Sequence, residues 1–153
     1  MGMYDNFETD PNLETNGIKV DYGDFRVTLA FAGASNKAFA KFAEAKLKPY
    51  KRAMDSGTLS QELSSKIMME IYAKTIVRNW EVRKVEKDSI TGEELETWVQ
   101  GIEAKDGSVM PFNEENVIKT FKALVNLFFD LQEMASKAAN YRAIELEDDA
   151  KNS

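Results

Sequence analysis

The chain has 153 residues and a mass of 17.3 kDa, with 43% hydrophobic and 30% charged side chains. That composition suits one folded domain and excludes a disordered or fibrous chain. Cysteine and histidine are both absent, which excludes disulfides, thiolate metal sites, cysteine nucleophiles and Ser-His-Asp triads.

The balance of 20 basic against 26 acidic residues leaves a net charge of −6. Net acidity opposes nonspecific binding to nucleic acid and docking on anionic lipid. No run approaches the ~18 consecutive apolar residues of a membrane span. Residues 1–10 lack the basic and apolar regions of a secretory leader. The expectation is a protein of the cytoplasm, with no nucleic-acid or membrane partner.

Residues 1–17 are polar, with Tyr4, Phe7 and Leu13 as anchors. They read as an extended arm, either disordered in the free monomer or docked on a neighbouring subunit. Residues 18–31 carry the clearest strand pattern. Ile18, Val20 and Tyr22, then Phe25, Val27, Leu29 and Phe31, alternate with Lys19, Asp21, Arg26 and Thr28. Gly23-Asp24 between the two runs is a two-residue hairpin signal. Ser35 is expected to cap a helix bearing Phe39, Phe42, Ala43 and Leu47, which Pro49 ends.

Thr58 and Gln61 have capping-box spacing, and the helix after them is expected to reach Asn79. Its stripe is Leu63, Ile67, Ile71, Tyr72, Ile76, Val77 and Trp80, with Met68 and Met69 beside it. Residues 81–107 fit helix or strand. The β-prone Thr97-Trp98-Val99 favours a second small hairpin. Asp106-Gly107 is a turn, followed by a short strand over 108–112. Asn113 caps the next helix, with Glu114 and Glu115 in its first turn. Asn126 is expected to separate it from a last helix, and residues 145–153 form an acidic tail. The fold class is α+β: a mainly helical single domain over 18–144 with an N-terminal β-hairpin and a second small one.

Catalytic patterns are missing. The glycines are scattered, so no phosphate cradle forms. The paired carboxylates Glu93-Glu94, Glu114-Glu115 and Asp148-Asp149 sit at turns, a helix start and the tail, where solvated charge explains them. Lys46, Lys48, Lys51 and Arg52 read as a solvated helix end. No cofactor, metal or enzymatic activity is expected. The last helix is richer than one seam needs. Phe128 and Phe129 point about 100° apart on a helix. Either that helix is central to the core, or it keeps a second apolar face for a partner.

Four stretches occur in a telling order: a hairpin running into Gly33-Ala34-Ser35-Asn36-Lys37-Ala38-Phe39; Tyr72 to Trp80 closing a helix; Asp106 to Val117 as turn, strand and capped helix; and a final helix running into Glu147-Asp148-Asp149. In this order the chain resembles the tail assembly chaperones of long-tailed, non-contractile bacteriophages. The resemblance implies a non-catalytic protein of the host cell cytoplasm. It would bind the helical tape-measure protein and keep it soluble while the tail tube assembles, then leave. It also implies self-association and a longer, frameshifted form that meets the tail tube protein. The expected partner surface is Phe128, Phe129, Leu131 and Met134, with Met68, Met69 and Tyr72 beside it. A virion structural component, either a tail or a head-completion protein, is the alternative. Small inhibitors of host enzymes share the size and acidity.

Overall fold

The computed structural model describes residues 2–142, so the expected acidic tail lies outside the described residues. Helices α1 (Met3–Phe7) and α2 (Pro11–Asn16) lead into strands β1 (Ile18–Asp21) and β2 (Phe25–Leu29). Helices α3 (Lys37–Leu47), α4 (Lys51–Asp55) and α5 (Gln61–Thr75) follow. Strands β3 (Val77–Lys87), β4 (Glu94–Gln100), β5 (Ile102–Glu103) and β6 (Val109–Met110) come next, then helices α6 (Glu114–Ala123) and α7 (Val125–Ser136). The fold is α+β, as the alternating and helical periodicities predict.

The expected hairpin forms, with Val20 opposite Val27 and Asp21 opposite Arg26. The Asp21 carboxylate accepts the Gly23 N–H at 2.8 Å, and Gly23 has φ 91°, a conformation glycine adopts without a Cβ clash. The second hairpin is larger than expected. β3 continues the first sheet beside β2, and β4 closes it, giving the antiparallel order β1-β2-β3-β4. Gly101 then turns the chain into a two-stranded β5-β6 sheet. A Cβ on Gly101 would stand 2.3 Å from the Val109 side chain and 2.8 Å from the Met110 carbonyl, so only glycine permits this close approach.

Four local expectations need correction. The segment before residue 18 is helical rather than extended: the Asp10 side chain caps α2 by accepting the Asn12 N–H, with Pro11 at the first helical position. This segment is tied to the body. The Asp10 N–H bonds the Tyr141 carbonyl, and the Phe31 N–H bonds the Glu14 carbonyl. Asn36, not Ser35, caps α3, because Ser35 donates to the buried Glu14 carboxylate. Ser60, not Thr58, caps α5, and α5 stops at Thr75. Val77 to Trp80 are strand residues there, since pairing with β2 (Trp80 opposite Val27, Val77 opposite Leu29) satisfies their backbone and buries the Val77 and Trp80 side chains. The last two helices break at Leu124, not Asn126.

One sheet face carries the core. Val20, Val27, Leu29 and Trp80 meet Met69, Tyr72 and Ile76, and then Val117, Phe121, Phe128 and Leu131 from α6 and α7. Phe121 and Phe128 sit 4.8 Å apart between ring centroids. The other face carries alternating polar groups. Arg26 pairs with Glu81 at 2.9 Å and lies 4.0 Å over the Trp98 ring.

Candidate functional site

The residues expected to form a partner surface separate into two groups. Phe128, Leu131, Met69 and Tyr72 are buried in the core. Phe128 packs edge-on against Tyr72 at 5.6 Å, so α7 is central, and these four do not reach solvent in this conformation. Met68 and Met134 are half-buried against the same core. Phe129 alone is largely open, at 50% exposure. The two adjacent phenylalanines thus take the two alternatives the sequence leaves open, one in the core and one outside it.

A broad concavity lies elsewhere. It is an open groove of about 790 Å³ between the sheet and the α6–α7 corner. Phe25 from β2 and Trp80 from β3 form one wall, their rings stacked at 6.0 Å and 14°. Ile102 and Met110 from the small sheet, and Leu124 and Leu127 from the helical corner, supply the rest of the apolar lining. Lys105, Lys119, Glu103 and Asp106 stand at its exposed margin. Hydrogen bonds from the Ser108 hydroxyl and N–H hold the Asp106 carboxyl below its ordinary range.

The corner explains why the groove is open. Leu124 leaves helical geometry at φ −124° and ψ 68°, while its N–H still reaches the Thr120 carbonyl and its own carbonyl accepts from Leu127 and Phe128. The backbone is satisfied without a glycine or proline, and the cost is that Leu124 and Val125 turn outward, at 55% and 40% exposure. Tyr22 braces the opposite wall. It stacks on Phe25 at 4.7 Å, and its hydroxyl donates to the Asp130 carboxylate of α7. Burial, then Asp130, push that hydroxyl's pKa well above the usual phenol value.

The arrangement suits binding an apolar surface. Among the described residues there is no group of three or more Asp or Glu placed to hold a metal, and no helix long and apolar enough to cross a membrane. Glu93, Glu94, Glu114 and Glu115 are exposed, while Asp148 and Asp149 lie outside the described residues. Within the basic run, Lys46 pairs with Glu70 of α5 at 2.8 Å, and Lys48, Lys51 and Arg52 are exposed.

A family model described as YdaY prophage protein matches residues 34–152, about three quarters of the chain. The chain belongs to the YdaY prophage protein family. It is therefore phage-derived. The match takes in β3 to β6, both helices of the groove corner and every expected partner residue. The hairpin that carries Tyr22 and Phe25 lies before it. Searches of curated proteins and of solved structures returned no match.

The groove residues were not assembled by sequence reasoning. Leu124 and Val125 read as part of a helix stripe, and Phe25, Trp80 and Ile102 as ordinary apolar positions. The available signal was the excess of large apolar residues between Phe121 and Leu131 over what one helix seam buries.

Proposed function

We propose that this YdaY-family protein is a tail assembly chaperone, which binds the tape-measure protein without catalysis and keeps it soluble in the host cytoplasm. Phage origin and the resemblance in motif order support the reading. The observation that carries it is the open apolar groove lined by Leu124 and Leu127 at the helical corner, with Val125 and Phe129 exposed on the same helix α7. An amphipathic helix buries its apolar stripe in such a groove and leaves its polar face in water. Phe129 and Leu124 replace the buried Phe128 and Leu131 as the residues that meet the partner first.

The test is co-expression with the tape-measure protein of the same prophage, read as the fraction of tape-measure protein in the supernatant. Wild-type protein should raise that fraction several-fold, and Leu124→Asp should abolish the gain while leaving the circular dichroism spectrum unchanged. An equal soluble fraction with and without this protein rejects the chaperone reading. The second reading is a virion structural component, favoured by the open outer edge of β4, since edge strands pair readily with further copies. Abundance of the chain in purified particles would establish that reading instead.

A further inference from the structure

The four-stranded sheet ends in two edges of different character. β1 is short, at four residues. The Tyr22 N–H bonds the Phe25 carbonyl, so alternation leaves only the backbones of Lys19 and Asp21 facing outward. β4 has seven residues, with no proline and no bulge. The Asp88 N–H bonds the Glu93 carbonyl at one end of the β3–β4 ladder, and the Gly101 N–H bonds the Trp80 carbonyl at the other. Between these ends the antiparallel alternation turns the backbones of Leu95, Thr97 and Val99 towards β3. The backbone groups of Glu94, Glu96, Trp98 and Gln100 face outward, and among the described residues their N–H groups have no backbone partner. Leu95 and Val99 are exposed at 63% and 42%.

We infer that two copies of this chain pair through β4, antiparallel, about a two-fold axis at Thr97. The parity of the edge restricts the choice, because outward-facing residues must pair with outward-facing residues. With Thr97 on the axis, Glu94 meets Gln100 of the second copy and Glu96 meets Trp98, closing about eight backbone hydrogen bonds. Leu95 then lies across from Val99 twice, so both exposed apolar side chains gain an apolar neighbour on the same sheet face. Each Glu96 stands beside a tryptophan ring that already carries the Arg26 guanidinium. Shifting the axis to Glu96 sets glutamate against glutamate and closes fewer bonds, and shifting it to Trp98 separates Leu95 from Val99. Charge and packing therefore select one register. The two four-stranded sheets become one continuous sheet, and no groove-lining residue belongs to the paired strand. The pairing is independent of the chaperone reading.

Because the chain has no cysteine, one introduced thiol reports the register. At the axis, residues 97 of the two copies form a non-hydrogen-bonded pair about 4.5 Å apart at Cα, within disulfide reach. Under mild oxidation of the purified protein, Thr97→Cys should form a covalent dimer at least tenfold faster than Glu96→Cys, Trp98→Cys or the remote Glu44→Cys. Leu95→Lys should weaken the dimer at least tenfold in sedimentation velocity, and Leu95→Lys with Val99→Glu should restore it, since the two charges then meet across the pair. Fastest cross-linking at 96 or 98, equal rates at all four positions, or a wild-type monomer at about 100 μM overturns the inference.

Discussion

The inner and outer strands of one sheet have been put to opposite uses. Val27 and Leu29 of β2 are wholly buried, with Trp80 of β3 beside them at 2% exposure. In β4 every residue is exposed except the half-buried Trp98. Both strands alternate and both are hydrogen-bonded to β3, so backbone pairing does not distinguish them. The difference is the helical cover: α5, α6 and α7 reach β2 and the first part of β3 and not β4. Strand formation in this fold thus requires a neighbour strand, while core formation requires a helix above it, and the apolar residues of β4 are free of any core role.

Substitutions can press on that contrast. The largest effect is expected at Phe121, fully buried against Trp80 and Phe128. Phe121→Ala should lower unfolding stability by about 3–5 kcal/mol, whereas Leu95→Ala should stay within about 0.5 kcal/mol in the monomer; urea titrations of the two variants, at a protein concentration too low for pairing, measure the gap. An alkaline titration separates the regions next. Burial pushes the Tyr72 hydroxyl from 10.0 up to about 12. The folded state therefore keeps its proton while the unfolded state loses it. Stability is intact below pH 10 and falls by about 2–3 kcal/mol as pH rises from 10 towards 12. Tyr72→Phe should remove that contribution and make the limb shallower, the buried Tyr22 and Tyr141 hydroxyls, also raised, supplying the rest, and no substitution in β4 should alter it.

Tyr141→Phe comes third. Its buried hydroxyl donates to the Leu29 and Ala30 carbonyls, both at 3.0 Å, and the loss should cost about 1–2 kcal/mol in the same titration. Asn113→Ala is the smallest of the four, at about 1 kcal/mol. It removes the acceptor for the Asn116 N–H at 2.8 Å and frays the start of α6, the helix covering the inner strands. Amide hydrogen exchange in the first turn of α6 would register it when the global midpoint barely moves.

Where a rule is local, the sequence predicts its element. Gly23-Asp24 fixes the first hairpin, Pro49 ends α3 after Leu47, and Asn113 caps α6. Where two periodicities overlap, it does not. Ile76, Val77 and Trp80 have the spacing of a helix stripe, yet Val77 and Trp80 pair with β2, a decision made by a strand about fifty residues earlier. The candidate site was less legible still. The groove gathers residues from β2, β3, β5, β6, α6 and α7, and no window of sequence contains them together. Leu124 joins it only because the helix breaks one residue before Val125, two before the expected Asn126. Phe128 and Phe129 mark the boundary of what periodicity can do: it shows that they diverge, and only the position of α7 shows which one is interior.

The hydroxyl of Tyr141 reaches back 112 residues to close over Leu29. A ribosome adding about 5–20 residues per second makes Leu29 roughly 6–22 s before the ring that seals it. During that interval the first hairpin exists without its lid, its greasy side facing whatever surrounds the emerging polypeptide. Closure over this part of the sheet thus waits for Tyr141, and a chain that lacks its ring can begin the sheet and never shut it.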